Sequence, residues 1–411
     1  MRAFSRYLLG TVAATALTLV CAMPRVSAAN TKVPILMYHN LTTDASATNS
    51  MTITQDRFRQ DMEFLRQYGF TPLLSADLIN IKSGAKAMPE KPVMITFDDG
   101  YESNYMLGYP ILKDTGMRAT ISVITSHLRD ENGGGYESSL TWPQVKEMYD
   151  SGIVDIGSHT NALHNENNMG QFIEGSINGI QRKLGEDYSS YQLRTGNDIA
   201  ASVRAIRAHL GENTKVWYFS YPFGATDSWF GQVLLNQGFY VSTTTRPCTA
   251  DIAAGLYGLP RYRITMEKSV SQLLQSTVTA SPTVTSAVLD GKETRLPTYQ
   301  IGGNNYVKLR DVAWLLNHTA SRFSVNWSGD DISLRKGESY TPVGGELITL
   351  PIGTSSGKSM VGRVNIDDTP TTLAAYNIGD NYYFKLRTLG DKLGFQVDWD
   401  EINGIIMLKT Q

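Results

Sequence analysis

Adjacent carboxylates, Asp98 and Asp99, close the run V-M-I-T-F-D-D-G from Val93 to Gly100. Two like charges side by side are costly unless a cation or a proton divides their duties. Further along, G-S-H-T-N-A-L-H supplies His159 and His164. Two imidazoles and a carboxylate that leave one position open are the usual ligand set of a catalytic metal. Taken alone, the acids are also compatible with a solvated Asp-Gly turn.

These side chains need elements to bring them together. Val93–Phe97 is an apolar run stopped by Gly100, the pattern of a buried strand ending in a turn. Strand neighbours point to opposite sides, so Asp98 and Asp99 need not share one role. The ends of strands in α/β folds are where active sites gather. V-D-I-G before His159 is a second strand, and Trp217–Ser220 a third that closes on the turn Tyr221–Pro222–Phe223–Gly224. Val33–His39 is another and delivers His39 to its end. Helical spacing marks Thr54–Tyr68, Ser103–Lys113, Pro143–Ser151, Phe172–Tyr188 and Ser189–Leu210, with further strands at Arg118–Val123, Phe239–Thr243 and Leu259–Ile264. Strands alternating with helices predict parallel β/α units. His159 and His164 are five apart, and residues so spaced on a regular helix do not face one point. A shared metal therefore requires a loop or a distorted turn.

In order, T-F-D-D-G, S-H-T-x-x-L-H and a strand ending in P-F-G resemble the polysaccharide deacetylase family (carbohydrate esterase family 4, the NodB homology domain) over roughly residues 30–275. The five-residue histidine spacing resembles the poly-N-acetylglucosamine deacetylase branch. The resemblance implies a distorted (β/α) barrel with fewer than eight full units. It implies a divalent metal on Asp99, His159 and His164, foremost Zn²⁺, with Co²⁺, Ni²⁺ or Fe²⁺ also suited to such ligands. Asp98 would be the general base, taking a proton from a water held by that ion. An Arg near Leu259–Ile264 would orient Asp98: Arg261 first, Arg263 as the spare. The turn Tyr221–Gly224 would line the substrate and offer an oxyanion N–H near Phe223. The family's late L-x-x-H histidine is missing, since no histidine lies between His209 and His318. His39 is the substitute for the general acid, or else a packed histidine that orders its loop.

The implied activity is removal of N-acetyl groups from a GlcNAc-containing polymer such as poly-GlcNAc, peptidoglycan or a chitin-like chain. An O-acetyl esterase and a non-catalytic glycan-binding protein are the competing readings. His127 and His209 fall in no motif and read as solvated; Trp142 reads as core.

The 411 residues exceed one typical domain, and 41% hydrophobic with 18% charged residues suits a globular chain. A net charge of -2 gives no indication of nucleic-acid binding. Met1–Ala28 has the basic start, apolar run and small-residue site of a secretory signal, so the mature chain is expected outside the cell, without a stable membrane span. Cys21 leaves with it, and Cys248 remains alone, read as a small, partly buried hydrophobe. Ser276–Ser286 has linker composition. Beyond it, Tyr299–Arg310 matches Tyr376–Arg387, and Val325–Trp327 matches Val397–Trp399. Residues 287–411 thus form a tandem repeat, resembling the copper amine oxidase N-terminal-like domain. No ligand cluster surrounds its sole histidine, His318, so no copper is implied. Trp327 and Trp399 read as core, with glycan platforms as the alternative. Cell-wall attachment is a candidate role for these repeats.

Overall fold

The computed structural model describes residues 31–130, 135–136, 138–164, 176–328 and 331–410. The signal segment Met1–Ala28, the polar stretch Asn165–Asn168 and the start of the helix expected over Phe172–Tyr188 lie outside the described residues.

The first half is a curled parallel sheet. Its principal strands are β1 (Ile35–Tyr38), β2 (Pro92–Phe97), β3 (Ala119–Val123), β4 (Val154–Ser158), β5 (Tyr218–Ser220), β6 (Val241–Thr243) and β7 (Tyr262–Arg263). They run side by side in the order β6-β5-β4-β3-β2-β1-β7, each pairing parallel. Every residue of β2 and β3 is buried, as expected where both faces are covered. The sheet curls until its edges meet: Thr243 bridges Leu259, just before β7, and the Thr244 and Leu259 N–H groups bond across the seam at 2.8 Å each. The expected distorted barrel is therefore present, its last gap spanned by the Leu259–Arg261 segment.

Helices α1 (Gln55–Gln67), α2 (Ser75–Lys82), α3 (Tyr109–Thr115), α4 (Trp142–Asp150), α5 (Tyr188–Leu210) and α6 (Phe230–Asn236) belong to this part. Thr54 caps α1 by accepting the Arg57 N–H, and Thr141 with Gln144 forms a capping box on α4. The helix expected over Ser103–Lys113 opens instead as a π-helical turn, Asn104–Gly108. There Asn104 is buried and donates to the His39 carbonyl at 2.7 Å, which ties the turn to the end of β1. Residues 176–187 are irregular rather than helical. Trp142 is core, and the exposed His209 stacks on it with ring centroids 4.0 Å apart.

The linker expected at Ser276–Ser286 is not one: it lies in β8 (Thr277–Leu289), paired with β9 (Lys292–Ile301). Ser, Thr and Pro content resembles a linker, but β-branched Thr277, Val278, Thr279 and Thr283 equally suit a strand once a partner is present. The remaining elements are β10 (Asn304–Lys308), α7 (Leu309–Leu316), β11 (Phe323–Ser328), β12 (Asp331–Lys336), β13 (Ser355–Ile366), β14 (Thr369–Ile378), β15 (Asn381–Lys385), α8 (Leu386–Leu393), β16 (Phe395–Asp400) and β17 (Ile405–Thr410). The sheet order is β11-β12-β13-β14-β15-β10-β9-β8-β17-β16, with β8 also pairing β13. Exchanging the two repeats reverses that order onto itself. The repeats are thus related by a pseudo-twofold axis between Val307 and Phe384, which pair with each other, flanked by Tyr306–Lys385 and Lys308–Tyr383. They also trade partners: β8 of the first copy pairs with β17 of the second, and β13 of the second with β12 of the first.

The barrel and the repeats share one apolar cluster that includes Phe64 and Tyr68 of the barrel with Tyr299, Ile301, Tyr376 and Ile378, and the Tyr68 ring packs edge-on against Tyr376 at 5.9 Å. Cys248 is exposed, not partly buried, because it lies in the irregular stretch beyond β6. Among the described residues, no helix is long and apolar enough to cross a membrane.

Candidate metal centre and active site

The two carboxylates leave β2 in different directions. Asp98 continues the extended path, and its N–H donates to the Tyr38 carbonyl at 3.0 Å. The residue is 2% exposed. Arg261, from the seam of the barrel, is fully buried against it. Nη1 donates to Oδ1 at 2.7 Å and Nη2 to Oδ2 at 2.6 Å, a bidentate pair. The Ser122 hydroxyl donates to Oδ1 at 2.8 Å. Burial pushes the Asp98 carboxyl up, but the opposing charge of Arg261 outweighs it and holds the group well below the usual carboxylate range. The guanidinium is held above its ordinary value against its own burial, chiefly by Asp98.

Asp99 takes φ 74°, which rotates its side chain away from Arg261. Its Oδ1 lies 3.4 Å from His159 Nε2 and 3.5 Å from His164 Nε2. One ligand atom from each of the three residues falls within 4.8 Å of the others.

His159 stands just past β4 and is 2% exposed. Its Nδ1 is 2.7 Å from the Ser220 carbonyl and 2.6 Å from the Ser220 hydroxyl. A carbonyl only accepts, so Nδ1 carries the hydrogen and the Nε2 lone pair faces Asp99. Ser220 Oγ is 2.5 Å from Ser122 Oγ. Ser122 gives its hydrogen to the ionised Asp98, so Ser220 donates to Ser122. A chain of hydroxyls therefore joins His159 to Asp98. Gly157 permits this closeness: a Cβ there would lie 2.6 Å from the Tyr218 ring on β5.

His164 follows on a non-helical loop, as the five-residue spacing requires. Asp198 on α5 secures it, accepting the N–H groups of Asn161 at 2.9 Å and Ala162 at 2.8 Å. Thr160, between the histidines, has φ 77°. Such conformations cost free energy and persist where the surroundings over-determine them. The His164 ring lies 4.9 Å from that of His159 and 4.6 Å from that of Phe223. Burial first, then His159, pushes His164 down to about 4, which keeps its imidazole neutral near pH 7. Two imidazoles, one with a fixed tautomer, and one carboxylate oxygen converge: this donor set fits a divalent transition ion.

The turn Tyr221–Gly224 is a single 3-10 turn in which Phe223 has φ 57° and its ring is 40% exposed. The N–H groups of Tyr221, Gly224 and Ala225 go to the carbonyls of Thr243, Tyr221 and Pro222. Asn178 braces the turn by donating to the Pro222 carbonyl at 2.7 Å. His39 is 7% exposed at the end of β1. Burial lowers its pKa, while Asp98 and Asp99 act to raise it, which places the ring within their field. Arg263 points outward and is exposed; Arg261 alone meets Asp98.

Sequence reasoning missed several contributors. Ser122 and Ser220 sit unmarked within strands, and Asp198 is distant in the chain. Tyr101 hydrogen-bonds Asp99, and burial with that carboxylate pushes its phenol up to about 12. His127 was read as solvated, but it is half-buried, packs edge-on against Tyr136 at 4.3 Å, and feels Asp99 and His159. Only the adjacency Asp99–Tyr101 carried a signal in the sequence.

The model of the polysaccharide deacetylase family matches residues 85–242, from before β2 to within β6. A Bacillus subtilis (strain 168) protein, YxkH, named for that family, is 31% identical over 233 residues, 57% of this chain and 71% of its own. The chain belongs to the polysaccharide deacetylase family. Within that family, the poly-beta-1,6-N-acetyl-D-glucosamine N-deacetylase of Staphylococcus epidermidis is 24% identical over 56% of this chain and 74% of its own length. The Escherichia coli (strain K12) enzyme of the same name is 26% identical, but the match spans only 38% of it. A de-N-acetylase from Aggregatibacter actinomycetemcomitans shares the deacetylase fold, with TM-score 0.50 and 23% identity over 59% of this chain and 98% of that one. His39 and Arg261 both lie outside the segment matched by the family model.

Proposed function

We propose that this deacetylase removes N-acetyl groups from a GlcNAc-containing polysaccharide outside the cell, with Asp98 as general base and Asp99, His159 and His164 holding a divalent ion, most simply Zn²⁺. The observation that carries the reading is the pairing of a buried, Arg-clamped Asp98 with the Asp99–His159–His164 cluster beside it. The names of the staphylococcal and E. coli relatives support the substrate class.

An ion in that cluster supplies Lewis acidity, polarising water and the amide carbonyl. The chain's own groups do the rest. Asp98 Oδ1 already accepts from Ser122 and Arg261, and Oδ2 from Arg261 alone, so Oδ2 keeps a lone pair for the water's proton. Arg261 holds that carboxylate ionised and oriented. The Phe223 N–H is the donor of the Tyr221–Gly224 turn not spent on the carbonyls named above, and it serves the developing oxyanion. The half-exposed Phe223 ring and Tyr221 shape the sugar's seat. His39 protonates the departing amine: burial outweighs the pull of Asp98 and Asp99 and lowers its pKa, which makes its imidazolium a stronger acid. Acetate leaves, and a glucosamine amine remains.

Acetate release from poly-GlcNAc, chitin oligomers, peptidoglycan and acetylxylan, by protein stripped with chelator and reloaded with Zn²⁺, Co²⁺, Ni²⁺ or Fe²⁺, tests this. Release from a GlcNAc polymer that vanishes on stripping and returns on reloading is expected. Release from acetylxylan alone, or none from any polymer with metal bound, overturns it. His39→Gln should slow amide hydrolysis about 10²-fold or more while sparing an activated aryl acetate, whose leaving group needs no proton. Equal loss on both substrates would remove His39 from the acid's role.

A further inference from the structure

The pseudo-twofold axis brings each repeat's closing tryptophan to the hairpin turn of the other copy. In one half, Trp327 of the first copy meets Tyr382 from the second, with ring centroids 5.6 Å apart, and the Arg310 guanidinium lies 5.9 Å from the indole. In the other half, Trp399 and Arg387 of the second copy face the first copy's turn. There the residue that matches Tyr382 is Asn305. The ring that occupies one half has no counterpart, and a cleft of about 570 Å³ opens between the repeats. Asn304, Asn305, Arg387, Asp398, Trp399 and Glu401 line it. Trp399 is 44% exposed and Trp327 40%, against the expectation that both would be core; what distinguishes the halves is the ring of Tyr382 beside Trp327 and the open cleft beside Trp399. The Asn305 side-chain oxygen has no hydrogen-bond partner in the protein.

We infer that this cleft is a second glycan site, which seats a neutral N-acetylhexosamine unit of the polymer on the Trp399 indole. A pyranose presents an apolar C–H face and a rim of hydroxyls. The first suits an exposed indole, and the second suits planar amide, guanidinium and carboxylate groups that both donate and accept. The volume is that of a small-molecule site. Arg387 and Lys385 are matched by Asp398 and Glu401, so the lining carries no excess charge to attract an anion, a nucleic acid or an ammonium. The site adds retention on the polymer without contributing a group to hydrolysis. The choice of an N-acetylhexosamine over another neutral sugar rests on the activity proposed for the barrel.

The pseudo-symmetry supplies the test. In the full chain stripped with chelator, so that polymer is not consumed, retention on insoluble chitin and on poly-GlcNAc is compared for the parent, Trp399→Ala and Asn305→Tyr. Asn305→Tyr restores the ring present in the other half and fills the cleft. Both variants should keep the parent's thermal midpoint within a few degrees and lose retention at least tenfold. In the chain reloaded with Zn²⁺, both should leave acetate release from a short soluble GlcNAc oligomer unchanged. Folded variants that are retained like the parent overturn the inference. Retention confined to fully deacetylated polymer overturns the neutral ligand. Retention that depends on Trp399, with no acetate released from any GlcNAc polymer, would sustain this site while the proposed activity of the barrel fails.

Discussion

The hydroxyls of Ser122 and Ser220 touch at 2.5 Å, and through that contact Asp98 and His159 become one hydrogen-bonded unit. A carboxylate read as base and an imidazole read as metal ligand are thereby oriented together. Ser220→Ala removes the hydroxyl but keeps the backbone carbonyl that fixes the His159 tautomer. Its metal affinity should fall by about tenfold, toward the low end for second-layer partners of a metal site. Ser122→Ala should instead lower kcat with little change in metal content. Metal titration and steady-state kinetics on both variants check the split; equal loss of metal in both would contradict it.

Arg261 and Asp98 are each buried, and neither tolerates the loss of the other. Arg261→Ala should cost about 3–5 kcal/mol in denaturant unfolding near neutral pH, since it strands a charge. The folded Asp98 pKa is depressed, so the pair's contribution is present above the unfolded aspartate value of about 4 and is lost as pH falls below it. The variant should lack that acid-dependent loss. In activity, the acidic limb of its kcat/KM profile should move to higher pH, because burial then acts on Asp98 unopposed.

Asp61 on α1 works in the other direction. It accepts from the Tyr38 hydroxyl and the Val270 N–H at 3.1 Å each, and burial raises its pKa to about 7. The native chain therefore keeps a proton that the unfolded chain loses above about pH 4, and this site's contribution falls as pH rises from about 4 to 7. Asp61→Asn keeps an acceptor oxygen for the Val270 N–H and offers an amide NH2 that the Tyr38 hydroxyl can accept, without the charge. It should gain roughly 1–3 kcal/mol at pH 8 and flatten that slope. Urea melts from pH 5 to 8 decide; a variant weaker than the parent at pH 8 would show that the nearby Arg57 keeps the carboxylate useful.

Tyr68 docks the barrel on the repeats. Its hydroxyl lies 2.6 Å from the Ala375 carbonyl and accepts the Met360 N–H at 3.2 Å. Tyr68→Phe should cost about 1–3 kcal/mol by leaving these buried backbone groups unpaired. Truncation after residue 275 should cost more, since it uncovers the shared apolar cluster around Phe64 and Tyr68. Unfolding of the full chain and of the truncated barrel, followed by calorimetry, measures both; a truncated barrel with an unchanged midpoint would show that the two parts stand independently.

Local chemistry made much of this legible in the amino-acid order. Apolar runs stopped by Asp-Asp-Gly, by a His pair and by Pro-Phe-Gly mark strand ends, because a buried strand must change composition where it meets solvent. The alternation of strands and helices was enough for parallel β/α units, the family resemblance for their distorted barrel, and the five-residue histidine spacing for a loop. The repeat was visible because its two copies keep the same turn and core residues. Several readings failed where composition ignores neighbours. Ser276–Ser286 became strand because β9 and β13 were there to pair with it. Cys248, Trp327 and Trp399 are exposed, and His127 is half-buried within the field of Asp99 and His159, because burial is a property of the assembled surface.

What the residue order determined, then, is which groups stand at strand ends. Only the tertiary structure decided that Arg261, 163 residues from Asp98, reaches it. It does so because the sheet curls far enough for its last strand to close on its first. The same holds for the Ser122–Ser220 contact and the open cleft beside Trp399. Each joins side chains whose meeting depends on the path of the whole backbone, and no local pattern of residue types encodes that path.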